Sequence, residues 1–254
     1  MSLPNDEAQT TERTLGVLGG MGPLATADFL SKLVEVTPVR CEQDHLHVLI
    51  DSNPKVPDRN RAVAGQGTSP AVALATMARR LEQAGADLLV MACNTAHAFD
   101  PAIRQAVRIP FISLVEEGCD ACVRNAPGAR TVGLLAAPGC IDAGLYQTGL
   151  ARRGLQPLLP DTTGQTAFNE LLYQIKLGAP RADLAPRMQQ LARQLIDRGA
   201  DVLLAACTEV PLVLQPSDVD RPLIDATRNL AERCVLYARG QAPLPPSSLP
   251  SPKD

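Results

Sequence analysis

The sequence has no tryptophan and only 3% aromatic residues, and its basic residues do not form clusters. The formal net charge is −3. A protein of this composition offers neither a basic face that follows phosphates nor an aromatic platform on which bases stack. We therefore expect no nucleic-acid partner.

Long apolar segments are also missing. Apolar residues make up 45% of the chain, but they occur in runs far shorter than the roughly 20 residues that span a bilayer. The polar, acidic segment 1–13 has neither the basic region nor the apolar stretch of a secretory signal. These absences predict a cytoplasmic protein that makes no membrane contact.

The seven cysteines are odd in number and widely scattered, which favours reduced thiols over a disulfide framework. Cys119 and Cys122 form a C-x-x-C, but with Val115 they follow helical spacing, so a buried helical stripe is the better interpretation. No second Cys pair or His pair completes a set of ligands. We predict no metal site.

An internal repeat is the most informative feature that is present. Two pairs of segments align, 77–95 with 191–209 and 14–23 with 131–140. Both members of the first pair have the pattern of a helix, a Gly-Ala-Asp turn, an apolar strand and then a cysteine, which is Cys93 in one and Cys207 in the other. The repeat predicts two related halves, each with a thiol at the carboxyl end of a strand.

Strand-like runs alternate with amphipathic segments, a pattern typical of parallel sheets with right-handed crossovers. The predicted fold is α/β, with two pseudo-symmetric αβα domains, each with a mainly parallel sheet, and the active site in the cleft between them. A length of 254 residues suits two domains of about 100 to 150 residues. The predicted parts are a disordered tail over 1–13, a first domain over 14–112 plus 221–240, a second domain over 113–220, and a disordered Pro- and Ser-rich tail over 241–254.

Polar residues follow both strand-end cysteines: Asn94, Thr95 and His97 after Cys93, and Thr208 and Glu209 after Cys207. Cysteine is often a small buried hydrophobe, but that role does not explain such neighbours. Ligands of open parallel sheets bind beyond the carboxyl ends of the strands, where the start of a following helix lowers a thiol pKa. We therefore predict two functional thiols that exchange protons with opposite faces of one carbon.

Three segments carry a resemblance to a known family. GGMGP at 19–23, MACNTAH at 91–97 and ACTE at 206–209 resemble the signature segments of the aspartate/glutamate racemase family, and the similarity runs through residues 14–240. The resemblance implies two pseudo-symmetric α/β domains with the active site between them and one catalytic cysteine from each, Cys93 and Cys207. It also implies an amino-acid substrate, no pyridoxal phosphate or other cofactor, and a homodimer.

The resemblance also implies which residues bind the substrate. In the family an Arg and a Lys bind substrate carboxylate, and the matching residues are Arg59, in the long loop 53–67, and Lys176. A guanidinium grips a carboxylate bidentately, whereas an ammonium acts as a point charge. The further expected substrate contacts are Met21, Ser52, Asn94, Thr95 and Thr208, and the residues expected to orient or tune the thiols are His97 and Glu209.

The resulting hypothesis is a racemase that interconverts the enantiomers of an acidic amino acid, aspartate first and glutamate next, by a two-base thiol/thiolate mechanism. Ala137 and Cys140 occupy a loop in which many family members carry threonines, so the choice among aspartate, glutamate and a related amino acid stays open. The alternatives are a decarboxylase or cis/trans isomerase of the same superfamily, acting on a malonate- or maleate-like diacid, and a small-molecule binding protein without turnover.

Overall fold

The computed structural model describes residues 12–245, so most of the two predicted tails lies outside the described residues. Within these residues, eight short apolar strands form two parallel four-stranded sheets, with strand orders β2-β1-β3-β4 and β6-β5-β7-β8. The strands are β1 Leu15–Gly19, β2 Val48–Ser52, β3 Leu88–Met91, β4 Phe111–Ile112, β5 Thr131–Ala136, β6 Gln156–Leu158, β7 Val202–Ala206 and β8 Leu223–Asp225. The predicted α/β class with two parallel sheets is confirmed.

Helices connect the strands, and several begin at signals visible in the sequence. Pro23 occupies the first turn of one helix, and the Asp161 side chain caps another by accepting a hydrogen bond from the Gly164 N–H. The helices are α1 Pro23–Val36, α2 Arg59–Val63, α3 Ala71–Gln83, α4 Asp100–Ala106, α5 Leu114–Asn125, α6 Pro138–Asp142, α7 Leu145–Ala151, α8 Thr162–Lys176, α9 Arg181–Asp197 and α10 Ala226–Ala238.

Two elements differ from the sequence-based expectation because of local capping. The apolar run PFISLV at 110–115 predicts a strand over its whole length, but only β4 forms, since the Ser113 side chain accepts a hydrogen bond from the Glu116 N–H and starts α5 there. The loop 53–67, expected to be irregular, contains α2, which the Asp58 side chain caps by accepting from the Arg61 N–H. The second cap places Arg59 in the first turn of a short helix.

The helix that follows the last strand of each sheet packs against elements of the other half. Helix α5 follows β4 but packs against β7 and β8, whereas α10 follows β8 and packs against α1 and α5. Strand β8 pairs with β7, so this part of 221–240, which the sequence analysis assigns to the first domain, lies in the sheet of the second half. An apolar run in the sequence does not specify which sheet edge it joins. The other domain boundaries stay a prediction.

The central strands bring the two cysteines to equivalent places. Strands β3 and β7 are fully buried; β3 ends two residues before Cys93, and β7 ends directly before Cys207. The Cys93 and Cys207 residues are themselves only 6% and 5% exposed. None of the described helices is both long and apolar enough to cross a membrane.

Candidate active site

A small pocket lies at the ends of β3 and β7 and takes its walls from both halves. Its volume is about 20 Å³, which is room for about one water molecule. This space is smaller than an amino acid. The lining residues are Met21, Asp58, Arg59, Asn60, Cys93, Asn94 and Thr95 from the first half, and Ala137, Lys176, Cys207, Thr208 and Glu209 from the second.

Most of the side chains expected from the sequence line this pocket, and two do not. Ser52 is exposed at the end of β2, and His97 is buried behind the strand end that carries Cys93. The sequence reasoning did not single out Asp58 and Asn60, although they flank Arg59. Their position beside a predicted site residue was the signal that could have identified them.

The Cys207 thiol is hydrogen-bonded to a carboxylate. Its Sγ–H donates to Glu209 Oε2 over 3.0 Å, and the Thr208 hydroxyl donates to the same oxygen over 3.1 Å. Burial and then the negative charge of Glu209 raise the pKa of Cys207, while the Lys176 cation and the Glu209 backbone N–H act in the opposite direction. Cys207 is therefore a thiol at neutral pH.

This result corrects one expectation, namely that the start of a helix lowers the pKa of both thiols. After β7 the chain forms only one 3₁₀ turn, Val210–Leu212. So short a turn sums few peptide dipoles, and burial with the Glu209 charge outweighs it at Cys207.

Lys176 contributes a cation to the pocket from the end of α8. Its Nζ lies 3.8 Å from Glu209 Oε1, an oxygen that is buried without a hydrogen-bond partner in the described structure. Burial acts to lower the pKa of Lys176, but the negative charge of the neighbouring Glu209 carboxylate is the main cause that raises it on balance. Lys176 therefore stays cationic beside both cysteines.

Arg59 contributes the second cation. Its Nη1 donates to the backbone carbonyls of Val56 and Pro57, over 3.1 and 3.0 Å. These two bonds hold the guanidinium in place without neutralising it, and no ion pair to Arg59 is present within residues 12–245. The remaining N–H groups are suited to bind a carboxylate.

His97 fixes the strand end that carries Cys93. The backbone N–H of Leu114, at the start of α5, donates to His97 Nε2 over 3.1 Å. Because Nε2 accepts, the proton is on Nδ1, which donates to the Cys93 carbonyl over 2.8 Å. Burial lowers the pKa of His97, so the ring stays neutral. His97 therefore positions the backbone around Cys93 and does not contact the pocket.

Two hydrogen bonds join the halves at the rim of the pocket. The Gly139 N–H donates to Asn60 Oδ1 over 3.1 Å, and the Tyr146 hydroxyl donates to Asn94 Oδ1 over 2.5 Å. These contacts surround a small space that is lined by the two thiols and the two cations.

Comparisons with known proteins find a matching family and similar structures. The Asp/Glu/Hydantoin racemase family model matches residues 18–234. The chain is 28% identical over 230 residues to the broad specificity amino-acid racemase RacX of Bacillus subtilis (strain 168), covering 87% of this chain and 96% of that protein. It superposes on Picrophilus torridus aspartate racemase with a TM-score of 0.78 and 27% identity, covering 90% and 94% of the two chains. A putative Asp/Glu racemase from Yersinia pestis shares the fold, with a TM-score of 0.75, 22% identity and coverage of 89% and 99%.

Proposed function

The chain belongs to the Asp/Glu/Hydantoin racemase family and is an amino-acid racemase, and from this premise we propose that it interconverts the enantiomers of an acidic amino acid, aspartate first and glutamate next. In this proposal Cys93 and Cys207 are the two acid/base residues and pyridoxal phosphate is not required. The observation that carries it is one pocket with a thiol from each half and two cations. The homodimer implied by the resemblance and a cytoplasmic location belong to the same proposal.

The chemical difficulty is the weak acidity of the Cα proton. Its removal becomes feasible when the electron pair left on carbon is delocalised into the α-carboxylate and donors stabilise the charge that develops there. Lys176, which stays cationic near both thiols, is suited to that task, as are Asn94, Thr95 and Thr208, which lie next to the cysteines and line the pocket. Arg59 is then available to bind the carboxylate of the substrate side chain.

Inversion follows from the roles of the two sulfur atoms. One cysteine, as the thiolate, takes the Cα proton, and the opposite cysteine, as the thiol, gives its proton to the other face of the carbon. After one turnover the thiolate and the thiol have exchanged places. The enzyme is then in the protonation state that accepts the opposite enantiomer.

The two cations favour a substrate with two carboxylates. Two features argue for a broader range: Ala137 lines the pocket in a loop where many family members carry threonines, and a relative is named a broad specificity racemase. A substrate panel therefore has to include neutral amino acids beside aspartate and glutamate.

Proton NMR in deuterated water tests the proposal directly. Purified protein without added pyridoxal phosphate is mixed with L- or D-Asp, Glu, Asn or Ala, the Cα–H signal is followed, and chiral chromatography measures inversion. We expect loss of the Cα–H signal together with inversion, fastest for aspartate. Faster turnover of a neutral amino acid would overturn the substrate assignment, and no exchange with any member of the panel would overturn the proposed reaction.

Replacing Glu209 by Gln should move the pH profile. The Glu209 charge helps to raise the pKa of Cys207, so its removal lowers that pKa, and the limb of the kcat/KM profile set by Cys207 should shift to lower pH. Glu209→Asp keeps the charge and should leave that limb closer to its original position. Identical profiles for the wild type and the Gln variant would show that the Glu209 charge does not tune Cys207.

A further inference from the structure

Asn94 is held in an unusual way for a residue next to a reactive cysteine. It is 3% exposed and precedes a 3₁₀ helix, Thr95–Phe99, yet its side chain makes no capping hydrogen bond to that helix. Its Oδ1 instead accepts from the hydroxyl of Tyr146, and its Nδ2 is buried without a hydrogen-bond partner in the described structure. A buried amide N–H₂ without a partner is costly to keep, which suggests that a ligand completes its hydrogen bonds.

Tyr146 determines which end of the Asn94 amide faces the pocket. The tyrosine comes from α7 of the second half and is fully buried, and burial raises its pKa well above the ordinary value, so the hydroxyl keeps its proton. Within the described part of the chain, Asn94 Oδ1 is the acceptor for that proton. Turning the amide around would leave a buried hydroxyl proton without an acceptor. The proton on Tyr146 therefore favours the orientation in which Nδ2 is free.

The packing around Tyr146 holds the ring in place. A Cβ added at Gly118 of α5 would lie 3.2 Å from both the Tyr146 hydroxyl and its ring, so the glycine provides the space that the ring fills. The hydroxyl also connects the two halves, because Tyr146 belongs to the second half and Asn94 to the first. The contact with Asn94 therefore joins the two halves directly beside the pocket.

We propose that Tyr146 is a positioning residue for the racemisation: its hydroxyl orients Asn94 so that Nδ2 donates a hydrogen bond to the substrate α-carboxylate as negative charge develops there. This inference rests on the proposed function. A donor that strengthens its bond as charge develops acts on kcat more than on KM. Tyr146 itself does not contact the substrate, and its effect is transmitted through the Asn94 amide.

A double-mutant cycle on the fastest substrate of the NMR panel tests this assignment. We expect Tyr146→Phe to lower kcat about tenfold, the scale of one hydrogen bond, with KM changed less than about twofold. In an Asn94→Ala background the same substitution should change kcat by less than about twofold. Asn94→Asp keeps an acceptor for Tyr146 but has no N–H₂ group, so it should be impaired at least as much as Asn94→Ala.

Tyr237 provides the matched control for loss of a buried tyrosine hydroxyl. Its hydroxyl donates to Glu117 over 2.5 Å, between α10 and α5 and away from the pocket. Tyr237→Phe should therefore keep the wild-type kcat, and thermal unfolding of both variants separates stability from catalysis. The inference would be overturned if Tyr146→Phe lowered kcat by the same factor in the wild type and in the Asn94→Ala background. It would also be overturned if the kcat of Tyr146→Phe were no lower than that of Tyr237→Phe. Either result would leave the proposed function intact. A wild-type protein that racemises no amino acid of the panel would overturn both.

Discussion

Cys93→Ser and Cys207→Ser should each lose racemisation in both directions by roughly 10²- to 10⁴-fold, the usual contribution of a positioned acid or base. Inversion needs a base on one face of Cα and an acid on the other, so neither single variant retains a complete pair. A serine hydroxyl is far less acidic than a thiol and does not replace the thiolate. The measurement is the initial rate of inversion of each enantiomer by chiral chromatography.

Exchange of the Cα hydrogen with solvent deuterium should distinguish the roles of the two cysteines, which the steady-state rate of inversion does not. The two enantiomers have equal free energy, so kcat/KM must be the same in both directions whatever the asymmetry between the thiols. A single-cysteine variant, however, retains one thiolate, which can remove a Cα proton and return deuterium to the same face. We expect Cys93→Ser to exchange one enantiomer without inverting it and Cys207→Ser to exchange the other.

Cys140 supplies the matched control for this experiment. It is 1% exposed, lies in α6 near Cys93, and does not line the pocket. Cys140→Ser should therefore racemise at about the wild-type rate. Full inversion by either Cys93→Ser or Cys207→Ser would contradict the two-base assignment, and exchange of the same enantiomer by both variants would contradict their placement on opposite faces.

Much of the fold was predictable because its signals are local. An apolar run followed by Gly or by a polar strand end indicates a parallel strand, and the repeat around Cys93 and Cys207 locates the two equivalent strands without reference to distant parts of the chain. The C-x-x-C at Cys119 and Cys122 was correctly interpreted by helical spacing alone, since both residues are buried in α5. The edge on which β8 pairs was not predictable, because it depends on contacts across the whole sheet.

The candidate site shows the same division between local and distant information. Residues adjacent to a motif, such as Asn94 and Thr208, were predicted because they follow a cysteine directly and the strand direction carries them into the pocket. Tyr146 was not predicted, because it reaches Asn94 from a helix of the other half, 52 positions away in sequence. The raised pKa of Cys207 was also missed, since it depends on burial and on where the Glu209 carboxylate lies.

Arg59→Met should lower kcat/KM for aspartate by roughly 10²- to 10³-fold, mainly through a higher KM, because truncating one partner of a buried charged contact commonly costs about 2–5 kcal/mol. If Arg59 binds the side-chain carboxylate, the loss depends on that carboxylate. We therefore expect kcat/KM for asparagine, which has the same shape without the charge, to change little. The preference of the enzyme for aspartate over asparagine should collapse.

Two further variants separate the shape of the Arg59 side chain from its charge. Arg59→Lys keeps the charge but not the planar fork and should recover only part of the loss. Arg61→Met removes the same charge from an exposed residue of α2 that does not line the pocket, and it should behave like the wild type. Parallel losses for aspartate and asparagine in Arg59→Met would move Arg59 to the α-carboxylate, where it would share the task assigned to Lys176. Unchanged kinetics for both substrates would remove Arg59 from the site and with it the argument for a second carboxylate, because Lys176 is assigned to the α-carboxylate that every amino acid has.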